Sequence, residues 1–101
     1  MSRRVQMPPH LRMECLYLLR GHSHRQNAIR SKHRLTEPEL KKYWAVENAL
    51  SGVEITMRGD VVLSLIHRIA YEHFDVPCSR QTFYRRRHAL LLAIAREMAY
   101  L

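Results

Sequence analysis

Apolar residues recur along this chain at spacings of three and four, and nowhere at a sustained spacing of two. The pattern predicts helices and no sheet. After Pro8-Pro9, the residues Leu11, Cys15, Leu18, Leu19, Gln26 and Ile29 fall on one side of a helical wheel. Arg12, Arg20, Arg30 and Lys32 lie mostly off that side. This predicts a basic helix over residues 9–32, with Gly21 marking a place for a bend or a break. The stretch "TEPEL" is the next start signal. Thr36 is a good N-cap, Glu39 is placed to reach back to the Thr36 amide and complete a capping box, and Pro38 is tolerated in the first turn. Leu40, Trp44 and Leu50, with Tyr43 and Val46 beside them, form the expected apolar face, and Gly52 is the expected stop.

Val53, Ile55 and Met57 alternate, but a lone short strand has no partner, so this stretch is expected to be a loop with room for a helical turn. Asp60 after Gly59 is expected to cap another helix, with Val62, Leu65, Ile66, Ile69 and His73 on one face. That helix should end near Phe74, because a residue before proline disfavours the helical region and Pro77 follows Val76. The last helix starts after Ser79, a second good N-cap, and puts Phe83, Leu90, Leu91, Ile94, Met98 and Leu101 on one face. Only Asp75 to Cys78 are left to connect it to its predecessor. The expectation is an all-α single domain of about four helices: a basic N-terminal helix within residues 1–35 and a helical core over 36–101. The core carries a C-terminal helix-turn-helix at about residues 60–100.

Charge changes the picture. The 101 residues include 17 Lys and Arg against 9 Asp and Glu, a formal charge of +8. Such a surplus suits a polyanionic partner, most often nucleic acid, although charge alone also keeps a small protein in solution. Hydrophobic residues make up 47%, enough for a modest core in one small domain. Cys15 and Cys78 lack metal-ligand spacing and are expected to be free thiols rather than a disulfide. No apolar run approaches the length of a membrane span, and the opening Met-Ser-Arg-Arg-Val-Gln lacks the apolar stretch of a signal peptide. A soluble protein of the cytoplasm is the corresponding expectation.

The charge is densest where the last helix begins, in "SRQTFYRRRHALLLAIAREM". A short turn followed by a cationic helix start is the pattern that places the second helix of a helix-turn-helix in the DNA major groove. Gln81, Arg85 and His88 point away from the Phe83 to Met98 face, with Tyr84 on one flank and Thr82 and Arg86 on the other. Arg pairs with guanine and Gln with adenine through two hydrogen bonds each, and either also binds phosphate. The amides of a helix start suit phosphate too, which adds Ser79 and Arg80 to the candidate DNA-binding set. The competing reading is that these arginines form a solvated helix face. Arg87 lies inside the apolar stripe; its stem is expected to pack, with its head on Glu72 or Asp75 or drawn outward to phosphate, and it is not assigned to a base. Arg3 and Arg4 would add at most sequence-independent contacts.

These residues carry a resemblance. Ser79, the run Thr82-Phe83-Tyr84, the arginines at 85 to 87, and Ala89-Leu90 through Ile94-Ala95 resemble the C-terminal segment of small phage transcriptional regulators of the RinA and ArpU type. The resemblance covers about the last forty residues. It implies a helix-turn-helix related to region four of sigma factors. It also implies a phage or prophage regulator that binds double-stranded DNA, often an activator, with RNA polymerase or another host protein as a candidate partner.

Other constellations point to less. Seven histidines include His22, His24 and His33, but no pair one turn apart has a Cys or carboxylate to complete a zinc site. His73 is expected at the edge of the core. No nucleophile elbow, phosphate-binding glycine loop or paired carboxylates stand out, so neither an enzyme nor a cofactor is expected. Tyr43-Trp44 could stack bases, but the spacing with Leu40 favours a core role. Leu92, Ala95 and Ala99 lie on or near the side opposite the main stripe of the last helix. They would be covered either by the first helix or by a second chain in a homodimer. Two alternatives to duplex DNA binding remain: a small phage-type protein that binds and inhibits or redirects a host protein through its basic surface, and RNA binding through the same surface.

Overall fold

The computed structural model describes residues 6–101; Arg3 and Arg4 lie outside them. The described chain is helical without strands: α1 Pro9–Arg20, α2 His22–Arg30, α3 Glu37–Leu50, α4 Ile55–His67 and α5 Arg80–Glu97, with a single 3-10 turn at Tyr71–His73. Helices α1 and α2 are the expected basic segment, broken at Gly21. The break is a bend rather than an unwinding. Gly21 keeps helical dihedrals (φ −79°, ψ −4°), its amide donates to the Tyr17 carbonyl, and its own carbonyl accepts from the Arg25 amide. A side chain at Gly21 would crowd Arg25, whose guanidinium comes within 3.1 Å of where a Cβ would sit. That space lets Arg25 turn back and donate to the Leu18 carbonyl at 2.9 Å.

The core is one cluster drawn from every long helix. Helix α1 contributes Cys15, Leu16, Leu18 and Leu19; α3 contributes Val46 and Ala49; α4 contributes Met57, Val61 and Leu65; α5 contributes Phe83, Leu90, Leu91, Ile94 and Ala95. The α5 stripe is the one its spacing predicts, apart from Leu101, which lies beyond the helix and is exposed. Helix α2 differs in kind. Its buried residues are His22 and Arg25 rather than Gln26 and Ile29, and it meets α3 through polar groups. His22 Nε2 lies 2.7 Å from Glu47 Oε1, Gln26 donates to the same oxygen at 3.1 Å, and the His22 ring stacks on Tyr43. Cys15 and Cys78 are free thiols, and burial, with help from the Glu14 charge, pushes the Cys15 thiol up to about 11.

Several expectations are corrected. Helix α3 buries Ala45, Val46 and Ala49, while Leu40 is 39% and Trp44 54% exposed. The face is turned because two alanines let α3 lie close along α5, its main neighbour, and bulk at position 44 then points outward. Thr36 Oγ1 does accept from the Glu39 amide, at 3.4 Å, but the Glu39 carboxylate does not reach back to Thr36; it binds Arg25 and Lys42. Helix α4 starts at Ile55, so Gly59 and Asp60 lie inside it and Asp60 is not its cap. It also ends early, at His67. Arg68 takes a left-handed conformation (φ 55°, ψ 43°), and the buried Ser64 hydroxyl donates to the Ile69 carbonyl at 2.6 Å.

The link between α4 and α5 therefore covers residues 68–79 rather than four. His73 is exposed on the 3-10 turn and is not at a core edge. The longer link is fastened to α5 by aromatic rings. Tyr71 and Phe74 pack on Phe83 at centroid distances of 5.6 and 5.5 Å. The Tyr71 hydroxyl donates to the Cys78 carbonyl at 2.6 Å, and the Tyr71 amide donates to the Tyr84 hydroxyl at 3.2 Å.

Candidate nucleic-acid interface

The start of α5 is built around Ser79. Its hydroxyl oxygen accepts from the Thr82 amide at 3.2 Å and lies 3.0 Å from Thr82 Oγ1, so both side chains are engaged in the cap. One turn on, Phe83 is fully buried and fixes the helix in the core. The polar residues around it are thereby held in fixed directions.

They divide into three groups. Gln81 and Arg85, one turn apart, are exposed, and the Arg85 side chain makes no ion pair or hydrogen bond with a described residue. Arg80 and Arg86 each meet a carboxylate: Arg80 Nη1 lies 3.4 Å from Glu72 Oε1, and Arg86 Nη2 lies 3.0 Å from Glu54 Oε1. Both pairs are exposed, where such pairs contribute about 0–1 kcal/mol, so both arginines can leave their partners at little cost. Tyr84 is half-buried and supports rather than points outward. Its hydroxyl takes the Tyr71 amide, and its ring carries Arg80 at 5.7 Å and Arg87 at 4.9 Å. His88 is half-buried.

Arg87 finds neither Glu72 nor Asp75. Its stem packs as its wheel position predicts, but its head lies on Tyr84. Burial holds its guanidinium below its ordinary value; the nearby Arg12 charge acts in the same direction and Tyr84 opposes it. Arg12 and Arg68, absent from the expected site, line the same concavity as Arg87 and Tyr84. No short motif marks this grouping, because its members come from α1, the end of α4 and α5.

The second apolar side of α5 is smaller than expected. Ala95 is fully buried in the core, and Ala99 is exposed in a left-handed conformation just past the helix. Leu92 alone remains there, half-buried. Among the described residues, no group of three or more His, Cys, Asp or Glu could hold a metal ion, and no helix is long and apolar enough to cross a membrane. No family model, curated protein or solved structure matches the chain.

Proposed function

We propose that this protein is a sequence-specific double-stranded DNA-binding transcriptional regulator of phage or prophage type, with the start of α5 in the major groove. The observation that carries this reading is the exposed pair Gln81 and Arg85 on a helix whose opposite face is locked by Phe83, Leu90, Leu91 and Ile94. Rigid support is what base reading needs, since both hydrogen bonds of an Arg–guanine or Gln–adenine pair must align. Arg80 and Arg86 exchange Glu72 and Glu54 for phosphates on either side of the groove. The amides at the helix start add a further phosphate contact. Enrichment of tight binders from a pool of random duplexes tests this. The wild type should select a shared motif, and Arg85→Ala should lose preference at one position of it.

A second reading, binding of a host protein, is favoured by Leu40 and Trp44. A half-exposed tryptophan beside an exposed leucine, next to basic residues, is the composition of a protein-binding patch. Capture from a bacterial lysate with and without nuclease separates the two. A nucleic-acid partner is lost on nuclease treatment, and a protein partner is retained.

A further inference from the structure

The concavity between α1, the end of α4 and α5 has a volume of about 400 Å³. Its polar lining is Arg12, Arg68, Arg87 and Tyr84, over apolar residues that include Leu65 and Ile69, and no acidic residue lines it. Three arginines elsewhere meet carboxylates, Arg25 with Glu39, Arg80 with Glu72 and Arg86 with Glu54, while others such as Arg85 and Arg30 stand singly on the surface. Here three arginines from three separate elements face one space, and none of them makes an ion pair with a described residue. The Arg87 Nε is buried and makes no hydrogen bond, so a buried donor is left without an acceptor. Like charges gathered without a counter-charge repel, and a bound anion would relieve that repulsion while filling the open donors.

We propose that this concavity is an oxyanion site that binds a phosphate group. Guanidinium forks match the tetrahedral oxygens of phosphate with paired hydrogen bonds. The Tyr84 ring and the apolar floor leave room for a small organic group attached to the phosphate. At 3.6 residues per turn, Arg87 lies about 160° round α5 from Arg85. A duplex seated on Gln81 and Arg85 therefore leaves the concavity open, and the site does not depend on the DNA reading. The phosphate can come from a free phosphorylated compound or from a nucleic-acid backbone that wraps past the edge of α5.

Calorimetric titration with inorganic pyrophosphate, alongside duplex DNA binding by fluorescence anisotropy, tests the site. Four variants serve it, one of them Arg85→Ala on the DNA-reading face. Arg68→Gly removes a guanidinium at a left-handed position that glycine prefers, so folding is not at risk. Arg12→Gln removes a second, and Arg30→Gln, exposed at the end of α2, controls for general charge. For a free phosphate compound, pyrophosphate binds the wild type, Arg68→Gly and Arg12→Gln each weaken it at least tenfold, and Arg30→Gln and Arg85→Ala do not. For a backbone phosphate, pyrophosphate gives no heat, but Arg68→Gly and Arg12→Gln lower duplex affinity well beyond Arg30→Gln. The proposal is overturned if pyrophosphate binds all variants alike, or if neither probe distinguishes Arg12 and Arg68 from Arg30. Site-specific pyrophosphate binding without any duplex binding would remove the DNA reading and leave the oxyanion site standing.

Discussion

Arg25 donates its Nε hydrogen to Glu39 at 2.9 Å, joining the second half of the bent N-terminal helix to the first turn of α3. The same guanidinium holds the Leu18 carbonyl, so one nearly buried side chain ties three stretches of chain together. Glu39 carries the counter-charge, and its hydrogen bond to Arg25, helped by Lys42, holds its carboxyl below the ordinary range. Glu39→Gln should destabilise the fold by about 0.5–1 kcal/mol, because the amide oxygen can still accept from Arg25 but the counter-charge is lost at a partly solvated position. Glu39 titrates lower in the folded than in the unfolded chain. Its contribution is therefore full above the ordinary carboxylate range and is lost as pH falls through its folded value. Denaturant melts of both proteins at neutral and acidic pH check this: the gap between them should close in acid.

Trp44 is the single tryptophan, so its emission reports one site. With 54% of its surface exposed, it should fluoresce like a water-exposed indole in the folded protein and be quenched readily by iodide. A blue-shifted emission, protected from quencher, would mean that its face of α3 is covered, either within the chain or by a partner.

Arg68→Gly should stabilise the protein by about 0.5–1 kcal/mol. A left-handed backbone costs an L-residue about 1–2 kcal/mol, and the greater freedom of glycine in the unfolded chain cancels part of the gain. Thermal melting should rise by several degrees. A fall would mean that the Arg68 side chain contributes more to the fold than its exposure indicates.

Leu65→Ala and Ile94→Ala should each cost about 2–5 kcal/mol, since both side chains are buried in the shared core. Chemical denaturation followed by circular dichroism measures this directly. A loss below about 1 kcal/mol at either position would place that residue outside a packed interior.

What the sequence made legible, and what it hid, follows from where each signal resides. The start of α5 was readable because Ser79 is a side-chain cap followed by an apolar stripe of large residues. The start and end of α4 were not. Glu54 offers no side-chain cap, Gly59 sits inside the helix, and the left-handed C-cap is an arginine rather than a glycine. Lys32 and Ala99 also take left-handed conformations after their helices, while none of the three glycines does. Gly21 and Gly52 do fall at the ends of α1 and α3, as expected, but neither marks its helix end by a left-handed turn, and Gly59 lies inside α4. The face of α3 was misjudged because Ala45 and Ala49 signal little by size, yet small size is what lets α3 approach α5. Of the candidate site, Gln81 and Arg85 could be read from the wheel. The grouping of Arg12, Arg68 and Arg87 could not, since it exists only once three distant stretches pack together.

The central claim is that α5 reads duplex DNA through Arg85. Its most direct test is the affinity of wild type and Arg85→Ala for a selected duplex and an unrelated one, measured across a range of salt. Wild-type affinity should fall steeply as salt rises, because each phosphate contact releases counterions. Arg85→Ala should cost about 1–3 kcal/mol on the selected duplex and far less on the unrelated one. Absence of duplex binding at low salt, or an equal loss on both duplexes, would contradict the claim.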